Sequence, residues 1–402
     1  MTPILDDKAA RNWIDLFRAV AILQVVLFHV LFGIIRFAPP EDLPGVVARL
    51  PGVLDFAWQA FGVDLVFLVS AFLLGVGLIS ERHEAGRIDL RNYYVRRVSR
   101  ILPLYWFAVL FFGLAGGATA LQILQSAAFV GYIVDDMNVV PVGWTMEVMM
   151  IVYILLPFAV AGLFRTGRPL FWIGVAFAAS ALARLGFIWA SDDPFAWMLH
   201  DLYATRQPTD AGFELYFRLW FRLPPFIAGL GLAWVLVRHR DRAMTFARRY
   251  ALPLGLAGAV LCWVTAGIPA HDPTSWLGAV MPDGETPWRL YFGLAIPVFS
   301  IGAALLLWVG LARGWGASDR LAQIARPFSV NIFGIYLFHM PLLAVGAILV
   351  FRGTDHALLG QATTLHVLAT WIVTAIISLG VAALLMRFIE RPALRLIRRK
   401  LG

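Results

Sequence analysis

The residues of this chain that could do chemistry are few, and most stand inside apolar runs. Arg18 and His29 both lie in WIDLFRAVAILQVVLFHVLFG, residues 13–33. Their spacing of eleven positions is close to three turns, so both side chains share one helical face, roughly 16 Å apart along the axis. Ionisable groups inside a membrane-length run are costly unless they face a protein interior or a water-filled cavity. One face of one helix therefore offers a cation near one membrane surface and a titratable base near the other. His29 is a candidate general base or acyl acceptor. A buried histidine that bonds a backbone carbonyl is the plain alternative.

Asp64, in FGVDLVFLVSAFLLG, and Glu147, in GWTMEVMMIVYILLP, fall at a depth similar to His29. A carboxylate on one ring nitrogen would fix the tautomer and strengthen the other nitrogen as a base. Either could instead be a helix N-terminal anion favoured by the dipole, and the sequence does not show which, if either, touches His29. Arg96, Arg97 and Arg100, in YYVRRVSRILPLYW, join Arg18 as a cationic group on the opposite side. Guanidinium forks match phosphate, while a basic loop on lipid headgroups is the alternative. Asp15, one turn before Arg18, is a candidate salt-bridge partner. His339 and Tyr336 share a face in SVNIFGIYLFHMPLL. Glu214, Arg218 and Arg222 recur every four residues. That stripe could hold an anionic acceptor, but snorkelling to the interface is the expectation. Residues 191–210 could shape an acceptor site.

These side chains must be positioned by helices in a membrane. The chain has 402 residues, 60% hydrophobic and 14% charged, too apolar for a soluble domain. Apolar runs of about 20 residues recur along its length. They predict an all-α integral membrane protein, one domain over 1–402, with about ten transmembrane helices. The expected spans are 13–35, 57–79, 101–120, 144–163, 169–190, 215–237, 250–267, 289–312, 327–350 and 363–386. The fourth is the least secure, because 121–134 is itself apolar and could be re-entrant or interfacial. An even number of spans puts both termini on one side. The tails and loops 80–100, 164–168, 238–249 and 313–326 hold most of the Arg and Lys, which makes that side cytoplasmic. The same distribution accounts for the net charge of +8 without nucleic acid. The single cysteine, Cys262, excludes an internal disulfide or a cysteine-based metal cage. The first apolar run is too long for a cleavable signal peptide.

At this point the motifs resemble those of the integral-membrane acyltransferase family 3. The R-x10-H pair is Arg18 and His29. Gly62, Val63, Asp64, Phe67, Ser70 and Phe72 form a GVD signature, and Arg96, Arg97, Arg100, Pro103, Tyr105 and Trp106 form RR-x-x-R-x-x-P-x-Y-W. Trp144, Thr145, Val148, Tyr153 and Pro157 follow, then Tyr336, Leu337, His339 and Pro341, and a terminal Glu390-Arg391-Pro392. The chain has Ala71 where the family often has Gly, and Met149 where it often has Glu. It also resembles the stand-alone branch, without a fused hydrolase-like domain.

The resemblance implies an O-acyltransferase in the bacterial cytoplasmic (inner) membrane. It would take an acyl group, most often acetyl, from acyl-CoA and pass it to a hydroxyl of an exported carbohydrate. Arg18, Arg96, Arg97 and Arg100 would hold the coenzyme phosphates. His29, with Asp64 and Glu147, would do the chemistry, either as base or as transient acyl carrier. Trp144, Tyr336, His339, Arg218 and Arg222 are the candidate acceptor contacts. No metal is expected, and self-association is left open. The rivals are a proton-coupled transporter, which intramembrane His, Asp and Glu also build, a subunit that binds lipid-linked sugar without chemistry, and an enzyme acylating a secreted small molecule such as a macrolide.

Overall fold

The computed structural model describes residues 7–50, 61–134, 137–191, 210–266, 284–314 and 319–401, and these are helical apart from short connections. The first helix, α1 (Lys8–Phe37), starts where the Asp7 side chain accepts from Ala9 N at 2.9 Å. A short helix α2 (Leu43–Ala48) follows, then α3 (Phe61–Ala85) and α4 (Leu90–Ala115). Asp89 caps α4 by accepting from Asn92 N at 2.9 Å. Two short helices, α5 (Ala120–Ala127) and α6 (Gly131–Val134), lead into α7 (Trp144–Leu163). Then come α8 (Pro169–Ala190), α9 (Asp210–Phe217), α10 (Leu223–Arg238), α11 (Arg240–Arg249) and α12 (Ala251–Ala266). The chain closes with α13 (Glu285–Arg313), α14 (Asp319–Val330), α15 (Ile332–Phe351), α16 (Thr364–Leu385) and α17 (Arg391–Leu401).

Among the described residues, eight helices are long and apolar enough to cross a membrane, and α10 and α12 are shorter apolar helices. Their outward faces are apolar: Leu110 and Leu114 on α4, Leu182 and Trp189 on α8, Leu252 and Val260 on α12, and Ile372 and Ile376 on α16 are all exposed. In water such a surface would be costly, whereas in lipid it is the expected solvent. The chain is a multi-pass membrane protein. Prolines inside α4, α7, α13 and α15 (Pro103, Pro157, Pro297 and Pro341) are tolerated because neighbouring helices support the freed backbone groups.

Helix α1 lies at the centre and packs on α3, α13, α14, α15 and α16. Two glycines set how closely helices meet. A Cβ on Gly62 would collide with the backbone of Ala21 on α1, and one on Gly229 with the backbone of Leu68 on α3. The close packing of α1, α3 and α10 rests on these positions lacking a side chain.

Each of the ten expected spans overlaps a helix, but two differ in a way that matters. The third begins at Leu90 rather than 101, so Arg96, Arg97 and Arg100 ride on helix α4 and not on a loop. Hydropathy loses a helix where charges begin, whereas the backbone continues to its cap at Asp89. The sixth is broken: α9 stops at Phe217, a 3₁₀ turn spans Leu219–Phe221, and α10 starts with Pro224 and Pro225 in its first turn. Prolines there cannot continue a helix from before, because they lack the donor and clash with the preceding turn. The segment 121–134 forms α5 and α6, too short to cross. Residues 57–60 of the second expected span, and most of 191–210, lie outside the described residues.

Candidate active site

His29 and His339 meet. His29 projects from α1 and His339, fully buried, from α15. His29 Nδ1 is 3.2 Å from His339 Nε2 and 2.8 Å from Val25 O, one turn earlier on its own helix. His339 Nδ1 is 2.7 Å from Tyr336 O and 3.2 Å from Ile335 O. The rings lie 4.8 Å apart in an edge-on arrangement. His29 Nδ1 therefore faces both its own helix's backbone carbonyl and a second histidine.

Neither expected carboxylate reaches His29. Asp64, fully buried, accepts two hydrogen bonds from Arg222 NH1, at 2.9 and 3.2 Å. Arg222 also donates to Tyr216 O at 2.8 Å and lies over the rings of Tyr216 and Trp144, at 4.4 and 5.3 Å. Arg222 is only 3% exposed, so it does not snorkel. A buried carboxylate is a stronger partner than the interface, and the break after α9 turns the arginine inward. Arg218 bonds Glu214 at 2.9 Å and donates to Tyr132 O at 2.6 Å. Glu147 accepts from Tyr132 N at 3.0 Å and Asn138 Nδ2 at 2.8 Å. Asn138 in turn donates to Tyr105 OH at 3.0 Å, and Tyr105 OH donates to Ser126 O at 3.0 Å. Glu147 thus ties α5, α6 and the turn before α7 together. Trp144 is buried against Tyr216 and Phe217, at 4.9 and 5.3 Å.

The arginines on the other side do come together. A cavity of about 160 Å³ runs between α3 and α7 against α15. Arg18, Arg97 and Arg100 line it together with Ser70 and Tyr153, and so do Thr145 and Tyr336. Val63 and Leu74 on α3 both line it, so it extends roughly 16 Å along that helix. The hydroxyls of Thr145 and Tyr336 are 2.8 Å apart, and the Tyr336 ring is 5.9 Å from that of His339. A second, wider cavity of about 730 Å³ opens beside it, lined by Arg96, Arg97, Arg100, Asn92, Asp89 and Glu390. Arg97 and Arg100 line both cavities. Asp15 is held elsewhere, accepting from Ser329 Oγ at 2.6 Å. Among the described residues no ion pair joins Arg18, Arg96, Arg97 or Arg100 to a carboxylate within 4 Å. The buried Arg97 Nε has no hydrogen-bond partner. Unpaired guanidiniums in a cavity of this size fit an anionic ligand.

Arg184, which the sequence reading passed over, is buried on α8 and donates to Phe221 O at 2.7 Å and Phe292 O at 3.2 Å. It holds the 3₁₀ turn that delivers Arg222. Its signal was present: an arginine deep in an apolar span. Asn138 gave no such signal, since a lone Asn in a loop is ordinary. Among the described residues, no three of His, Cys, Asp and Glu gather closely enough to hold a metal.

A helical membrane protein with a histidine pair between two helices and a guanidinium-lined cavity is the class these features define. Within that class the chain belongs to the acyltransferase 3 family, described as an acyltransferase domain, which matches residues 11–387. It is also similar to candidate O-acetyltransferases of Staphylococcus aureus strains COL, MSSA476 and MRSA252, at 23% identity over 200 residues. The aligned stretch covers 44% of this chain and 29% of each of those proteins, so the chain spans less than a third of the curated relatives it matches. No solved structure matches it.

Proposed function

We propose that the protein is an O-acyltransferase of the bacterial cytoplasmic membrane, with both termini cytoplasmic. It moves an acyl group, most often acetyl, from a coenzyme A thioester to a hydroxyl of an exported carbohydrate. The observation that carries this reading is the sharing of Arg97 and Arg100 by two cavities. The wide cavity offers guanidiniums to the coenzyme phosphates, with Arg96 beside them. The narrow one, with Arg18 at its side, leads a flexible thioester arm toward Thr145 and Tyr336. Tyr336 stands against His339, and His339 against His29.

In this reading the arginines bind and orient the donor, and burial of the slot keeps water from the thioester. His29 Nε2 takes the proton of the acceptor hydroxyl as its oxygen attacks the thioester carbonyl. The carbon–sulfur bond then breaks, and the proton passes to the departing sulfur. Asp64 and Glu147 support the site rather than act on substrate, because both are engaged by protein donors.

The reading is tested by giving purified protein in lipid bilayers radiolabelled acetyl-CoA and a panel of envelope glycans and small hydroxylated compounds. Label should move to a carbohydrate hydroxyl. Label that moves only to a small secreted molecule would revise the acceptor, and coenzyme that binds without ever being consumed would remove the enzyme.

A further inference from the structure

The contacts of the two histidines fix where their protons are. A neutral imidazole has one N–H and one lone pair, and a carbonyl oxygen can only accept. His339 Nδ1 faces Tyr336 O at 2.7 Å, so that nitrogen carries the proton and Nε2 carries the lone pair. The lone pair points at His29 Nδ1, 3.2 Å away, and that nitrogen also faces Val25 O at 2.8 Å. Both neighbours of His29 Nδ1 are acceptors, so His29 is protonated there and its Nε2 lone pair is free. The reverse assignment would set lone pairs against carbonyl oxygens on both rings.

We propose that His339 is the positioning residue of His29. It shares the Nδ1–H bond with Val25 O, helps to hold Nε2 as the reactive nitrogen, and shares the charge when Nε2 takes a proton. The task is one that a carboxylate performs in hydrolase triads; here Asp64 lies on Arg222 and Glu147 on Tyr132 and Asn138. A neutral partner has a consequence. Two imidazoliums this close would repel, so the pair holds one extra proton at most and must release it before the next cycle. The role in turnover rests on the acyltransferase reading; the pairing itself does not.

Three proteins in lipid decide it: wild type, His339→Gln and His339→Leu. A glutamine oxygen can accept the same N–H bond, and a leucine cannot. Two readouts are taken. One is kcat and KM for acetyl-CoA. The other is the rate at which diethyl pyrocarbonate modifies His29, mapped by mass spectrometry, which needs no acyl transfer. His339→Leu should lower kcat about 100-fold, leave KM within about twofold, and slow modification of His29. His339→Gln should recover about tenfold of the lost kcat and most of the modification rate. If no protein consumes donor yet the modification rates keep this order, the pairing stands and the transferase reading falls. Unchanged modification of His29 in His339→Leu overturns the pairing. Equal damage in both variants with donor affinity lost also overturns it, since that is what loss of packing would give.

Discussion

Arg222 is the side chain on which most of the local electrostatics turns. It is buried with Asp64, 2.9 Å away, and sits under two aromatic rings. Removing one member of such a pair leaves an uncompensated charge, so Asp64→Ala should cost about 3–5 kcal/mol. Thermal unfolding in detergent would register that loss, and Asp64→Leu combined with Arg222→Met should restore most of it. An Asp64→Ala protein as stable as wild type would mean that the pair is not what holds the turn. The cavity arginines behave differently. Arg97→Ala or Arg100→Ala should leave stability intact and weaken acetyl-CoA binding about tenfold each, as expected for a lost charge-assisted contact. Calorimetry on the detergent-solubilised variants checks this, and unchanged affinity would reassign both residues to lipid headgroups. The sequence revealed these residues unevenly. Arg18 and His29 were legible because one helix carries both, and helical spacing is a local property. The His29–His339 contact was not, because it joins α1 to α15 across most of the chain. Arg222 was misjudged because a four-residue repeat assumes an unbroken helix.

The elements around α7 show how a short polar network can fix apolar backbone. Glu147 accepts from Tyr132 N and Asn138, and Asn138 continues to Tyr105. Helix α6 is only four residues long, and Tyr132 on it stacks on Phe217 at 5.1 Å. Glu147→Gln would present donors to an amide with one acceptor oxygen. The loss should be about 1–3 kcal/mol, read as a lower unfolding temperature. The rate of His29 modification by diethyl pyrocarbonate should not change, because Glu147 does not touch the histidines. A drop in that rate would return Glu147 to the catalytic group. At this scale, fold legibility tracked hydropathy. The bounds of α7 and α8 agree with the expected 144–163 and 169–190, because Pro141 and Gly143 precede the first and the polar turn 165–168 separates the two. The start of α4 was not readable, because its first turns are charged while the helix continues.

For the whole molecule, the arrangement separates two chemistries by the thickness of the helix bundle. Guanidiniums gather at one end and the histidine pair stands near the other, with the slot between α3 and α7 leading toward it. The proposed function requires that the arginine end face the cytoplasm. With Cys262 replaced by Ala, a single cysteine at Arg242 should resist a membrane-impermeant maleimide in intact cells, and one at Glu41 should react. The reverse pattern would invert the topology. In the proposed reaction donor binding and chemistry are divided between the arginines and His29. The most direct measurement is coenzyme A release by purified His29→Ala beside wild type, at donor concentrations where binding is confirmed on the same samples. His29→Ala should bind acetyl-CoA as wild type does and release at least about 100-fold less coenzyme per second. Near-normal release from that variant would contradict that division.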